Sequence, residues 1–296
     1  MPAYRFVTVD VFTDRRFGGN PLAVFPDARG LSGADMQALA AEFNLSETTF
    51  VLPPEDPANT ARVRIFVPKA EIPFAGHPNV GTGWVLAREG RDRDGVLRFE
   101  EKAGLVEVRV ERDAAGGPTG ATIAAPQPLS LGPEMPAETV AGLAGIAAGD
   151  LVTAAHRPVW ASVGNPFFIA EVTGEALTRA APDLGAFRRA ATERPEQEGR
   201  IALHLYARGG GGRVRARMFA PLAGIVEDPA TGSANVALGA LLLSLSGEEE
   251  ARYEVAQGVE MGRPSLLRVA ARRGPDGIRA TVGGGCVPVL RGEAEV

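Results

Sequence analysis

The chain of 296 residues carries one cysteine, Cys286, so no disulfide can form within it. A lone thiol suits a reducing compartment, and a cytoplasmic location is expected. Histidine is almost as scarce. His77, His156 and His204 are the only three, and none stands at metal-ligand spacing from another histidine or from the cysteine. No metal is therefore expected. Long apolar runs are missing, since the stretch from Val236 to Leu245 is too short to span a bilayer. The opening residues, Met1 to Phe6, lack the charged head and apolar core of a signal peptide. Excess positive charge is absent. The formal net charge of −5 argues against a general nucleic-acid binder. No Gly-x-Gly-x-x-Gly follows a strand pattern, which argues against a nicotinamide or flavin enzyme.

What the chain does contain is a repeat. Arg64, Phe66, Pro68, Ala70 and Ile72 lead to Pro73, Gly76, Asn79, Val80 and Gly83. Arg217, Phe219, Pro221, Ala223 and Ile225 lead in the same order to Pro229, Gly232, Asn235, Val236 and Gly239, with Val226-Glu227-Asp228 read as three extra residues. Gly19-Asn20-Pro21 is echoed by Gly164-Asn165-Pro166. Such ordered matches indicate a duplicated unit. The expected domains are residues 1–125, with 281–296 returning to them, and residues 126–280.

Strand patterns outnumber helical ones. Alternation marks a strand at Phe6 to Phe12, and further strands are read at Leu22 to Phe25, Thr48 to Leu52, where β-branched and aromatic residues cluster, and Arg62 to Val67. Leu97 to Glu111, Thr119 to Ala125, Arg200 to Ala207 and Val214 to Phe219 follow, and Ile278 to Leu290 reads as a strand broken by its glycines. Gly209 to Gly212 with Arg213, Arg215 and Arg217 reads as a loop and a solvated strand face. Ser32 with Asp35 resembles a capping box before an amphipathic helix. Each half has one long helix directly after its glycine, expected over His77 to Glu89 and Val236 to Ser246. A helix apolar almost all round belongs inside something. The expected fold is α+β: two pseudo-symmetric halves, each a curved, mostly antiparallel, barrel-like sheet around a central helix.

Chemistry concentrates at the two helix starts. Their unpaired N–H groups and positive dipole end suit an anion such as a carboxylate or phosphate. Thr231 or Ser233 is expected to cap the second helix. A cleft between the halves is the expected shared site. Glu47 sits at a helix-to-strand junction. Buried there, its carboxyl could take and return a proton near neutrality, although taken bare an exposed loop glutamate is the plainer reading. His77 could donate a hydrogen bond or move a proton, or merely cap its helix. Ser233 occupies the matching place in the second half. A hydrolase could be drawn from Ser233, His77 and Glu47, but Ser233 lies in Thr-Gly-Ser-Ala-Asn, not in a Gly-x-Ser-x-Gly elbow.

Four ordered runs carry a resemblance: Val9 to Phe12 with Gly19 to Val24, Asn44 to Phe50, Pro73 to Pro78, and Glu227 to Ala234. Together they resemble the phenazine biosynthesis PhzF-like isomerases, over nearly the whole chain. That family has the diaminopimelate epimerase-like fold. The resemblance implies an isomerase without metal or organic cofactor, and a homodimer. It assigns the proton-shuttling base to Glu47 and assisting roles to Asp228 and His77. Gly76, Gly232 and Ser233 would bind or orient a small anionic metabolite, with Asn20 a further contact. Epimerases and racemases of this fold use two cysteines, which a chain with one thiol cannot do. A non-catalytic binding protein on the same fold is the alternative reading.

Overall fold

The computed structural model describes residues 2–195, 199 and 201–296. Arg200, the expected start of one strand, lies outside the described residues. Seventeen strands and six α-helices, numbered in chain order, are assigned among them. They form two compact units, Met1–Ala124 with Gly283–Val296, and Ala125–Val282.

The first unit contains β1 (Ala3–Val11), β2 (Asn20–Phe25), β3 (Glu47–Leu52), β4 (Ala61–Val67), the short β5 (Ala70–Ile72), β6 (Val96–Glu101), β7 (Gly104–Arg112) and β8 (Pro118–Ala124). The last strand of the chain, β17 (Gly277–Glu295), begins in the second unit and ends in the first. β1 lies antiparallel to β17 and β2, and β2 is parallel to β3. β3 is antiparallel to β4, and β4 is parallel to β6. β6, β7 and β8 form a meander, and β8 pairs with β17. Eight strands thus close into a barrel, which leaves no free edge. The helix α1 (Gly33–Phe43) starts from the expected capping box and packs outside, with Met36 and Ala40 against Phe25, Phe50 and Phe66.

Inside the barrel runs α2 (Gly76–Arg88), buried from Gly76 through Ala87. Its core-like length comes from apolar and small residues on every face, and Pro78 is tolerated in the first turn. Small size is what admits it. A Cβ at Gly83 would stand 2.6 Å from Val108 of β7.

The second unit repeats this plan with β9 (Ser130–Glu134), β10 (Val159–Ser162), β11 (Pro166–Glu171), β12 (Leu203–Arg208), β13 (Arg213–Ala220), β14 (Ile225–Asp228), β15 (Glu250–Gln257) and β16 (Ser265–Gly274). The pairing sequence is the same: β10 antiparallel to β11, β11 parallel to β12, β12 antiparallel to β13, β13 parallel to β15, β15 antiparallel to β16. Here α3 (Ala137–Ala144), α4 (Gly174–Arg179) and α5 (Leu184–Glu193) join Phe168, Leu205 and Phe219 in one apolar cluster. The central helix is α6 (Gly232–Ser244), buried along nearly its whole length. A Cβ at Gly239 would stand 2.5 Å from Val269 of β16, the counterpart of the Gly83 approach.

Several sequence expectations need correcting. The run Leu97 to Glu111 is two strands, reversed at Lys102-Ala103. β17 is continuous through its glycines. The second central helix starts at Gly232, four residues before the apolar run. Arg217 is not on a solvated face. It is 6% exposed, paired bidentately to Glu227 at 2.8 Å, and donates to the carbonyls of Leu177 and Ala180. Arg64 pairs with Glu71 in the same way. Matching Glu71 to Glu227 moves the three extra residues of the second copy into the turn around Pro221–Ala223, so Asp228 stands opposite Ile72.

Candidate active site

In the first unit the barrel strands carry two of the candidates, Asn20 and Glu47, beside α2, which carries Gly76 and His77. Leu22 and Val11 face the helix, since both would meet a Cβ at Gly81. Glu47 pairs in parallel register with Leu22 and so projects to the same face. The Glu47 carboxylate reaches 3.3 Å from His77 Nε2, without the alignment of a hydrogen bond. Both side chains are largely buried, at 13% and 6% exposed. Two residues further along β3, Thr49 Oγ1 meets Thr82 Oγ1 of α2 at 2.8 Å. Two strand residues advance roughly 6.8 Å and five helix residues roughly 7.5 Å, so both contacts fit side by side. The threonine pair therefore fixes the height at which His77 meets Glu47.

Burial drives the His77 imidazole down to a pKa of about 3. It is neutral at physiological pH, with one N–H to donate and no positive charge to give. Its place at a helix start disfavours the imidazolium for a second reason, the positive end of the dipole. Asn20, wholly buried, opens β2 opposite Val11. Gly19 before it has φ +64, and a Cβ there would stand 2.3 Å from the Val11 carbonyl oxygen, so only glycine fits this turn. The buried Asp10 carboxylate accepts from Phe17 N–H at 2.7 Å and holds the same loop.

In the second unit Asp228 ends β14, 6% exposed, and accepts from Thr231 Oγ1 at 2.5 Å. That hydroxyl does not cap α6, contrary to the sequence expectation, because the aspartate holds it. Behind it lies a buried polar network. Gln257 Nε2 donates to the Asp228 carbonyl at 2.8 Å and to Thr231 Oγ1 at 3.0 Å. Gln257 Oε1 accepts from Thr231 N–H at 3.2 Å and from Asn235 Nδ2 at 2.7 Å. Asn235 Oδ1 faces His204 Nε2 at 3.2 Å. Burial lowers the His204 pKa to about 4, so this histidine is also neutral. Of these residues the sequence singled out Thr231, as a cap, and Asn235, as a match in the repeat, whereas Gln257 and His204 had no such signal.

Helices α1, α4 and α5 are closed by side-chain caps, from Ser32, Thr173 and Asp183. The starts of α2 and α6 have none, and neither does α3 after Pro136. The first N–H groups of α2 and α6, at Gly76-His77 and Gly232-Ser233, are thus left to another acceptor. Among the described residues no group of three or more acidic, histidine or cysteine side chains is placed to hold a metal.

The model of the family described as phenazine biosynthesis-like protein matches residues 9–292. The chain belongs to that family. It is 36% identical over 302 residues to an uncharacterized isomerase of Mesorhizobium japonicum, covering 99% of each chain. It is 37% identical over 272 residues to the trans-2,3-dihydro-3-hydroxyanthranilate isomerase of Pseudomonas aeruginosa, covering 90% of each. The crystal structure of a PhzF-family phenazine biosynthesis protein from Bacillus anthracis superposes with a TM-score of 0.89 over all of both chains. At 24% identity that likeness shows the fold alone. With relatives of this kind, the chain is an enzyme of the isomerase class, on the epimerase-like α+β fold. No helix among the described residues is long and apolar enough to cross a membrane.

Proposed function

We propose that this isomerase moves a proton between two carbons of a small carboxylate-bearing metabolite, with Glu47 as the general acid/base. Glu47 removes a proton from carbon and leaves the electron pair delocalised into the unsaturated system next to the substrate carboxylate. It then returns the same proton to a second carbon, so atoms and charge balance without an external reagent. Neutral His77 donates its N–H to the substrate or to Glu47. Asp228 takes the assisting role that the family resemblance gives it. The N–H groups of Gly76, Gly232 and Ser233 bind the substrate anion, and Asn20 contributes a further contact. Exclusion of water keeps the abstracted proton from exchanging.

The observation that carries this reading is the Glu47 carboxylate beside an uncharged imidazole, both buried, at an uncapped helix start. Trans-2,3-dihydro-3-hydroxyanthranilate, named for the relatives, is the probe to use first. Wild type should convert it, and Glu47→Gln should bind it with similar KM while kcat falls by about 1,000-fold or more. Full turnover by Glu47→Gln would refute the assignment. If wild type binds the probe but neither converts it nor exchanges its protons in heavy water, the chain is a binding protein instead.

A further inference from the structure

The polar closure of the second central helix has a counterpart in the first that no catalytic role accounts for. Asn79 and Asn235 match in the repeat, and each donates Nδ2 to the carbonyl four residues back, Ala75 at 3.0 Å and Thr231 at 2.9 Å. In the second unit Gln257 closes this turn. In the first, strand register identifies the residue at the same place. Arg62 pairs with Glu100 across β4 and β6, while Arg215, its counterpart, pairs with Ala256 across β13 and β15. The next residues are Glu101 and Gln257, the last of β6 and of β15. The following turns agree as well. Ala103 N–H donates to the Pro73 carbonyl, and Ser265 Oγ donates to the matching Pro229 carbonyl.

Glu101 therefore occupies a site built for an amide. Both its carboxyl oxygens and Asn79 Oδ1 are inaccessible and lack a well-formed hydrogen bond, although the Asn79 side chain lies against Glu101. The charged groups nearby are already engaged. Glu71 holds Arg64 and Lys102, and Glu55 holds Arg62. Glu100 accepts from Asn59 and from the backbone N–H groups of Glu55 and Asp56. Among the described residues no cation is left for Glu101, and an ionised carboxylate there would be buried without compensation.

We propose that Glu101 is a positioning residue held as a neutral carboxylic acid, replacing Gln257 in the first unit by accepting from Asn79 and donating its O–H into the turn before α2. A protonated carboxyl has the shape of a primary amide and, like it, offers both a donor and an acceptor. Through Asn79 and the Ala75 carbonyl it fixes the residues that present Gly76 and His77. Burial raises the Glu101 pKa from 4.5 to about 8, in keeping with this. Ionisation above that pH would then loosen the helix start. The catalytic consequence rests on the proposed function, whereas the protonation state does not.

The test is thermal unfolding of wild type, Glu101→Gln and Glu101→Ala between about pH 5 and 9. The folded pKa is raised, so the acid's contribution is complete below the unfolded value and is lost as pH rises through the folded one. Wild type should therefore lose melting temperature across that window relative to Glu101→Gln, the gap being greatest above about pH 8. Glu101→Ala should melt lower than Glu101→Gln at every pH. Parallel wild-type and Glu101→Gln curves would overturn the proposal, as would a glutamine variant as unstable as the alanine one. With the probe substrate, Glu101→Gln should keep kcat and extend activity to higher pH. Wild type inactive on the probe would count against the proposed function, and the melting curves would still decide the role of Glu101.

Discussion

The two units use one scaffold to different ends. Each wraps eight or so strands round a helix that enters through a Pro-x-x-Gly corner, and each ties its corner with an asparagine bonded four residues back. In the second unit every amide group of Gln257 is matched, and the turn bearing Asp228 is locked. In the first, the corresponding positions hold ionisable groups, His77 where the second has Ser233 and Glu101 where it has Gln257. Duplication supplied two equivalent frames. The difference teaches that matched positions in equivalent frames were filled differently: His77 and Glu101 in the first, and Ser233 and the fully bonded amide of Gln257 in the second.

Substitutions at matched positions sharpen this contrast. The largest stability effect is expected at the arginines that hold the two hairpins. Arg217 is the more enclosed, with side-chain exposure of 7% against 23% for Arg64. Arg217→Ala leaves Glu227 buried and unpaired and should cost about 3–5 kcal/mol in denaturant unfolding, with a smaller loss for Arg64→Ala. Equal losses would show that burial does not distinguish the pairs. Next come the glycines of close approach. Gly83→Ala and Gly239→Ala each press a methyl onto a valine and should destabilise by about 1–3 kcal/mol, to a similar degree in both units. A loss in one unit only would break the correspondence between the helices.

A third effect appears only in acid. His204 titrates at about 4 when folded and near 6.5 when unfolded. A depressed pKa means that its stabilising share is present above the unfolded value and drains away as pH falls through that window, by up to about 1.4 kcal/mol per pH unit. His204→Gln, which keeps a donor for Asn235, should flatten the acid limb of the melting curve by one proton. An unchanged slope would place the acid sensitivity elsewhere, His77 being the other buried imidazole.

Much of this was legible in the residues. The repeat and the all-round apolar helices pointed to a barrel-like sheet around a central helix, because no amphipathic stripe existed to lay them on a surface. Gly83 and Gly239 were visible as matches, and close packing against Val108 and Val269 explains why they match. Arg213 and Arg215 are exposed as read, but Arg217 was misread because alternation reports only which face a residue is on. It does not report that α4 covers the face bearing Arg217, a contact made by residues some forty positions away. Gln257 and Glu101 gave no signal for the same reason. Each acts at the end of a strand, on a turn about 26 residues before it, through side-chain groups that neither pattern nor composition records.

The path of β17 carries a consequence for synthesis. Chains emerge from the ribosome N-terminus first, and leading domains generally fold as they appear. Here the leading half cannot seal itself, because the stave that joins β1 to β8 is drawn from Gly283 onward. Translation must run through the trailing half before the barrel of the earlier one can close.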